Sequence, residues 1–176
     1  MPETKLSLEW LILTATRQTE VRLADWSEID LKAKTWTIPE ARMKMGAEHV
    51  IPLTPRMMQI LADAKALQGD AGLIFKGAKG KPQSENTHAN LAKSVSGDDA
   101  ITAHGFRSTF RDWASERTSF PNEVIEKSLA HATKSATEAA YFRSNLIERR
   151  RELMAAWCNY VSPMAHGSNV VTLARA

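Results

Sequence analysis

The sequence predicts an α+β fold that is mostly α-helical and carries one small antiparallel β-sheet. Three observations lead to this fold class. The run LSLEWLILTATR (6–17) has the apolar density of a buried helix. Two short β-forming segments, TWTIP (35–39) and EHVIPL (48–53), flank a polar connection. From residue 86 onward, capping residues and apolar spacings predict helices alone.

The composition is that of one soluble globular domain. The 176 residues are 43% hydrophobic and 24% charged, and no stretch approaches the ~20 apolar residues of a membrane span. Cys158 is the only cysteine, which excludes an internal disulfide and favours a reducing compartment. Residues 1–100 carry 13 charges of each sign, so the net charge of +3 arises after them and permits an anionic partner.

The central part of the chain predicts a hairpin followed by a helix. Gly46 lies in the polar connection between the two β-forming segments and suits a turn. Pro55 suits the first turn of a helix that runs to about Leu67 and is ended by Gly69. The apolar run AGLIFKG (71–77) predicts a further short strand.

The last third of the chain predicts a series of helices. One covers residues 86–95, and Thr102 caps a second that carries Phe106, Phe110 and Trp113 on one face. Pro121 begins a third helix, which ends near Leu129. Two more helices are predicted. Ser135 with Glu138 has the capping-box spacing of a short helix. Ser144 or Asn145 caps the last helix, whose apolar stripe is Leu146, Leu153, Trp157 and Val161.

Two short motifs contain an arginine that suits an anion. His104 and Arg107 are three residues apart on a predicted helix and share a face, which makes them a candidate phosphate cradle or else a capping histidine and a surface arginine. Arg17 ends a very apolar helix, where its charge is costly to bury without a partner. Glu20 can supply that partner, either as a plain salt bridge or to steer Arg17 toward an anion.

Three further residues have a chemical and a structural interpretation. Lys44 falls at the predicted hairpin tip, as a solvated side chain or as a mobile proton donor. His131 follows a helix end, where it can interact with the helix dipole or with a ligand. Tyr141 is one of two tyrosines, and its phenol needs cations nearby to become a nucleophile, whereas Tyr160 is interpreted as structural.

The order of these motifs resembles one known family. The chain contains TATRQTEVRLADWSEIDL, TWTIP, RMKMGAEHVIPL, HGFRSTFRDWA and then LAH followed by AAY. Over roughly residues 6 to 160 this resembles the catalytic domain of the tyrosine recombinases, the phage-integrase family, and in particular integrases of prophages and genomic islands. The resemblance implies the tyrosine-recombinase catalytic fold, in which the hairpin carries an active-site lysine.

The resemblance also implies roles for the residues around the phosphate. Tyr141 matches the nucleophile that attacks a DNA phosphodiester, forms a 3′-phosphotyrosine bond and frees a 5′-hydroxyl. Arg17 and Arg107 match the arginines that hold the non-bridging oxygens, and Glu20 matches an acid behind Arg17 that orients it. Replacement of either arginine by alanine is therefore expected to abolish cleavage with little loss of fold.

Proton transfer and phosphate contacts are implied for three more residues. Lys44 matches the lysine that protonates the leaving 5′-oxygen. His104 matches a general base or hydrogen-bond partner of the nucleophile, and His131 matches a donor to the phosphate. The scheme uses no metal ion, ATP or other cofactor.

The expected partners and domain limits follow from the same resemblance. The catalytic domain is expected at residues 1–161, and residues 162–176 form a tail that is either exchanged between subunits or disordered. The family's N-terminal DNA-binding domains are absent from this chain, which is interpreted as part of a longer protein. We expect double-stranded attachment-site DNA as partner, a tetramer of the full-length protein on DNA, weak or no self-association of this domain alone, no membrane association, and action in the bacterial cytoplasm on the nucleoid.

Three other functions remain open at this point. A type IB topoisomerase-like enzyme would use the same chemistry to relax DNA. A catalytically silent module would keep the fold and bind DNA without cleaving it. A helical interaction domain unrelated to DNA would have to carry the same ordered residues by coincidence.

Overall fold

The computed structural model describes residues 1–44, 46–131 and 146–162. Within these ranges the chain forms seven α-helices and one three-stranded antiparallel sheet, which confirms the predicted mostly helical α+β fold class. The elements in chain order are α1 (Pro2–Thr14), α2 (Gln18–Arg22), β1 (Ile29–Asp30), β2 (Thr35–Ile38), β3 (His49–Pro52), α3 (Pro55–Gln68), α4 (Thr87–Ser96), α5 (Ala103–Arg117), α6 (Asn122–Ser128) and α7 (Ile147–Val161). Short 3₁₀ turns lie at Trp26–Glu28, Glu40–Arg42 and Ala78–Gly80.

The predicted hairpin is present as β2 and β3. The strands pair antiparallel, with Trp36 opposite Ile51 and Ile38 opposite His49. Along β2 the side chains alternate between half-buried and buried, as expected for a strand with one face on the core. The two residues of β1 add a third strand at the edge of β2, which was not predicted.

Helix α1 runs through the core. It packs against α3, α4, α5 and α7, and its buried residues include Trp10, Leu11 and Leu13. Trp10 is fully buried and lies 5.5 Å from Trp36 and 5.8 Å from Phe75, measured between ring centroids. These contacts fix α1 against the sheet.

The break after α1 corrects a predicted boundary. The helix ends at Thr14 rather than at Arg17, because Ala15 adopts a left-handed conformation with φ 51°. The chain turns there, and Arg17 becomes the N-cap residue of the separate helix α2. No glycine or proline announces this turn in the sequence.

The predicted strand at residues 71–77 is wrong. The segment makes single bridges, Asp25 to Leu73 and Lys76 to Pro82, instead of a ladder. Ile74 and Phe75 are nevertheless buried, so the apolar run covers the core as an extended connection.

Helices α5, α6 and α7 are formed close to their predicted limits. The Thr102 hydroxyl caps α5 by accepting from the Gly105 backbone nitrogen at 3.0 Å. Helix α7 begins at Ile147, and its Leu153 and Trp157 are buried as predicted. The predicted caps Ser144 and Asn145, the capping box of Ser135 with Glu138, Tyr141 and the tail from residue 163 lie outside the described residues. Among the described helices, none has the length and apolarity needed to cross a membrane.

Candidate active site

The turn after α1 brings Arg17 and Glu20 together. Glu20 is 3% exposed, and its carboxylate accepts from the Arg17 backbone nitrogen at 2.7 Å and from Arg17 Nη1 at 2.9 Å. A buried carboxylate needs such donors, so the ion pair offsets the cost of burying Glu20. The Arg17 side chain remains 26% exposed, which leaves part of its guanidinium accessible to a ligand.

Arg107 projects from α5 into the same region and is 4% exposed. Its Nη1 donates to the carbonyl of Ala15 at 2.8 Å, and its Nη2 donates to the carbonyl of Leu129. The side chain therefore connects the turn after α1 with the end of α6. Both carbonyls belong to residues beside helix ends, where backbone acceptors lack intrahelical partners.

The charges of Arg17 and Arg107 act on each other. Burial, followed by the nearby charge of Arg17, lowers the pKa of the Arg107 guanidinium to about 10, while Glu20 and Glu126 act in the opposite direction. Arg107 thus stays charged at neutral pH. Two like charges in a partly buried site favour a bound anion, which relieves their repulsion.

His131 follows α6 in a Schellman turn. Ala130 is left-handed with φ 47°, its nitrogen donates to the carbonyl of Lys127, and the His131 nitrogen donates to the carbonyl of Glu126 at 3.0 Å. The turn folds the imidazole back along the helix, where Nδ1 lies 2.5 Å from Glu126 Oε2. Arg111 Nε also donates to Glu126, at 2.9 Å.

The contact with Glu126 orients the His131 ring. Burial raises the pKa of the Glu126 carboxyl, but the hydrogen bonds from His131 and Arg111 more than offset this, so its pKa is lowered overall. The ionised carboxylate then favours the proton on Nδ1. Nε2 consequently lies on the side of the ring that points away from Glu126. His131 thus has a fixed orientation, and the ring is about one-third exposed.

His104 and Lys44 are both exposed. His104 lies in the first turn of α5, one turn before the buried Arg107. Lys44 lies in a turn that the Gly46 nitrogen closes by donating to the Met43 carbonyl at 3.1 Å. The structure thus gathers Arg17, Glu20 and Arg107, with His131 at the end of α6. It leaves Lys44 and His104 at the surface, and Tyr141 lies outside the described residues.

Two buried polar residues near this cluster were not identified from the sequence. His49 on β3 is 6% exposed, and Arg150 on α7 is 3% exposed. Burial, then Arg150, Arg107 and Arg17, lowers the pKa of His49 to about 3, although a hydrogen bond to the Ser128 backbone acts in the opposite direction. Arg150 Nη2 donates to the carbonyl of Val50 at 2.6 Å, and burial lowers its pKa to about 10.

The sequence did contain a signal for both residues. Residues 146, 150, 153 and 157 fall on one helical stripe, so Arg150 belongs to the apolar face rather than to a basic surface run. His49 and Ile51 are two residues apart on a strand, so their side chains share one face. Because Ile51 faces the core, His49 does too.

Comparison with known sequences identifies relatives of one family. The model of the phage integrase family matches residues 2–147. The chain is 38% identical over 173 residues to prophage integrase IntA of Escherichia coli K12, which covers 96% of this chain and 41% of that protein. It is 33% identical over 176 residues to the integrase of Enterobacteria phage P4, covering 90% of this chain and 40% of that protein. The chain thus spans about two fifths of the length of these curated relatives.

Solved structures share the fold. The integrase from mycobacterium phage Brujita superimposes with a TM-score of 0.66 at 19% identity, covering 88% of this chain and 51% of that one. A lambda integrase dimer bound to a COC′ core site gives a TM-score of 0.60 at 21% identity, covering 76% of this chain and 51% of that one. The helical arrangement around the small sheet is therefore the one found in these integrases.

Proposed function

The chain belongs to the phage integrase family, and on that premise we propose that it is the catalytic domain of a site-specific tyrosine recombinase. It cleaves and rejoins double-stranded DNA through a 3′-phosphotyrosine intermediate, and thereby integrates or excises a prophage or genomic island. The observation that supports this most directly is the pair of guanidiniums, Arg17 and Arg107, each held by its own partners and close enough for their charges to interact.

The arginine pair suits the transition state of phosphoryl transfer. Negative charge builds on the equatorial oxygens as the phosphorus becomes five-coordinate. Glu20 and the Ala15 and Leu129 carbonyls already hold the two guanidiniums in place. Fixed donors of this kind need no reorganisation during the reaction and typically supply several kcal/mol, about 3 or 4 for a single donor.

The proposed cleavage step exchanges one ester bond for another. The Tyr141 oxygen attacks the phosphorus, a P–O bond to Tyr141 forms, and the bond to the 5′-oxygen breaks. His104 takes the phenolic proton, and Lys44 gives a proton to the leaving 5′-oxygen. Attack by the 5′-hydroxyl of a partner strand then reverses the step and releases the tyrosine.

His131 contributes a donor to the phosphate. Its Nδ1 is occupied by Glu126 at 2.5 Å, so Nε2 is the nitrogen that faces a ligand. Arg111 on Glu126 supports this orientation. The scheme needs neither a metal ion nor ATP, because the lysine protonates the leaving group and the phosphotyrosine conserves the energy of the diester.

The proposal includes the partner and the domain limits. Residues 1–161 form the catalytic domain and residues 162–176 a tail. The partner is the attachment-site DNA of the element, and the longer protein assembles on it as a tetramer while this domain alone associates weakly or not at all. The lambda integrase neighbour is itself a dimer on a core site, which supports a DNA-bound oligomer. The reaction takes place on the bacterial nucleoid, in the cytoplasm.

A nicked suicide duplex with the attachment site of the source element tests the proposal. After cleavage the short 5′-hydroxyl fragment dissociates, and the protein stays linked to DNA on a denaturing gel. Because the chain has two tyrosines, Tyr160→Phe is a matched control for Tyr141→Phe. We expect an adduct from the wild type and from Tyr160→Phe, and none from Tyr141→Phe, which should still bind the DNA.

Two results would contradict the proposal. An adduct that persists in Tyr141→Phe would remove the nucleophile assignment. The second is a folded protein that gives no adduct both as this chain and in a longer form with an N-terminal DNA-binding region. That result would indicate a silent DNA-binding module.

A further inference from the structure

The loop that carries Lys44 is anchored at its start by Arg42. Arg42 Nη2 donates to both carboxylate oxygens of Glu28, at 2.6 and 2.5 Å, and Nη1 donates to the carbonyl of Glu20 at 3.3 Å. The side chains of Arg42 and Glu28 are only 19% and 10% exposed. Arg42 therefore links the loop to Glu20, the residue that holds Arg17.

Glu28 is itself fixed to the core. Its Oε2 accepts from Trp36 Nε1 at 2.9 Å and from the Asp25 nitrogen at 3.3 Å. Trp36 is fully buried against Trp10. The Arg42 anchor is thus set in a rigid part of the fold rather than in a solvated surface pair.

His49 anchors the other end of the loop. It is the first residue of β3, lies opposite Ile38, and is buried. The hydrogen bond to the Ser128 backbone raises its pKa, so the ring is the donor and the Ser128 carbonyl is the acceptor. The next carbonyl along the chain, that of Leu129, accepts from Arg107.

Burying His49 costs free energy that an apolar side chain at the same position would not cost. Its Nε2 is buried without a hydrogen-bond partner among the described residues. The ring also lies near enough to Arg150, Arg107 and Arg17 for their charges to disfavour its protonation. An apolar side chain would avoid both penalties, so the donor to Ser128 is the feature that the imidazole provides.

We propose that Arg42 and His49 are positioning residues that hold the Lys44 loop beside the Arg17–Arg107 pair. Arg42 fixes the start of the loop to the Glu20 carbonyl, and His49 fixes its end to the segment that accepts from Arg107. Lys44 is two residues from Arg42, so its Cα stays within roughly 7 Å of the Arg42 Cα. The Lys44 side chain is exposed, and the loop that carries it begins at the anchored Arg42.

This inference rests on the proposed function, and in particular on Lys44 as the proton donor to the 5′-oxygen. A positioning role makes a distinctive prediction on that basis. A substrate with a 5′-bridging sulfur at the scissile phosphate has a leaving group that needs no proton. Loss of Lys44 positioning should slow cleavage of the normal DNA and spare the phosphorothiolate DNA.

The test compares variants on both nicked substrates. Arg42→Met keeps the stem and removes the guanidinium, and His49→Leu keeps an apolar side chain and removes the donor. Arg56→Met is the control, because Arg56 also makes two hydrogen bonds to one carboxylate, that of Glu9, between α3 and α1 at 2.6 and 2.7 Å. Lys44→Ala shows the effect of losing the acid itself.

We expect cleavage of normal DNA to fall roughly 10- to 100-fold in Arg42→Met and His49→Leu, and to change less than about 3-fold on the phosphorothiolate. Adding Lys44→Ala to either variant should slow it little further, since the acid is already misplaced. Arg56→Met should match the wild type on both substrates. His49→Asn, which keeps an amide donor near the position of Nδ1, should recover most of the rate.

Several results would overturn the inference. Equal losses on the two substrates would mean that Arg42 and His49 act on the phosphate site or on the fold, and unchanged rates would mean that they position nothing. If either strong variant fails to fold, Arg42→Gln and His49→Met give the same comparison, since glutamine lacks the guanidinium and methionine lacks the ring donor. A wild type that forms no adduct refutes the proposed function, and the inference falls with it. A reactive wild type with no phosphorothiolate rescue of Lys44→Ala refutes Lys44 as the acid, and the inference falls with it, while cleavage through a phosphotyrosine still stands.

Discussion

Acid should destabilise the fold through two buried histidines. His49 is 6% exposed and has a pKa of about 3, whereas His88 is fully buried and has a pKa of about 4. Burial is the main cause in both, with Arg22 adding to the effect at His88. Both rings are neutral in the folded protein, while in the unfolded chain they take up a proton below about pH 6.5.

The size of the effect follows from these values. Above pH 6.5 the rings are neutral in both states and contribute no pH dependence. Below it, each ring lowers the free energy of unfolding by about 1.4 kcal/mol per pH unit, until the pH reaches the folded pKa. At pH 5 this is about 2 kcal/mol for each ring and about 4 kcal/mol together. Because a domain is typically stable by about 5–15 kcal/mol, the loss is large.

Urea unfolding at pH 7 and pH 5 measures this loss. His49→Asn removes one titration, and His88→Gln removes the other while retaining an amide near Nε2, which lies 3.0 Å from the Ser7 hydroxyl. We expect a loss of about 4 kcal/mol for the wild type, about 2 for each single variant, and little from these sites in the double variant. Other titrating groups are common to all four proteins. The same loss in all of them would refute the assignment of neutral buried rings.

Three further predictions concern the proposed site. Arg107→Ala should abolish the DNA adduct. It should also lower the free energy of unfolding by about 2–5 kcal/mol, because it leaves the Ala15 and Leu129 carbonyls without their donor. An unchanged urea midpoint would contradict the buried geometry. Lys44→Ala should change stability by less than about 0.5 kcal/mol, since Lys44 is exposed, while its slow cleavage is rescued by the phosphorothiolate. The DNA-binding constant of Tyr141→Phe should fall steeply with salt, by about 0.9 log units per log unit of salt concentration for each phosphate contact. A binding constant that does not change in a salt titration would exclude a phosphate-dominated interface.

Local signals in the sequence were sufficient where a segment's structure depends on its own residues. The β-forming residues of TWTIP predict β2, and Thr102 predicts the start of α5, because strand propensity and the cap act over a few residues. The order of the candidate residues likewise indicated the family that the comparison of sequences then identified.

Local signals failed where the structure depends on tertiary contacts. Ala15 is left-handed without being glycine, and the Arg107 bond to its carbonyl comes from a residue 92 positions away. The segment 71–77 has the composition of a strand, but its neighbours offer only single bridges.

The expectation that Arg107→Ala would spare the fold shows the same limit. A spacing of three residues indicates that His104 and Arg107 share a helix face, but it does not indicate how deeply either side chain is buried. In the structure Arg107 is buried and His104 is exposed. Arg107 is therefore both a candidate phosphate ligand and a structural link between the turn after α1 and the end of α6. Burial of this kind depends on the elements that pack around a helix, which its own sequence does not specify.

The decisive experiment on Tyr141 is to identify the residue that becomes linked to DNA. The wild-type adduct from the suicide duplex is digested with nuclease and trypsin, and the nucleotide-bearing peptide is sequenced by mass spectrometry. Trypsin separates the two tyrosines, since Tyr141 falls in the peptide 135–143 and Tyr160 in the peptide 152–175. We expect a nucleotide phosphate on Tyr141 alone. A nucleotide on Tyr160, or on any other side chain, would contradict this expectation.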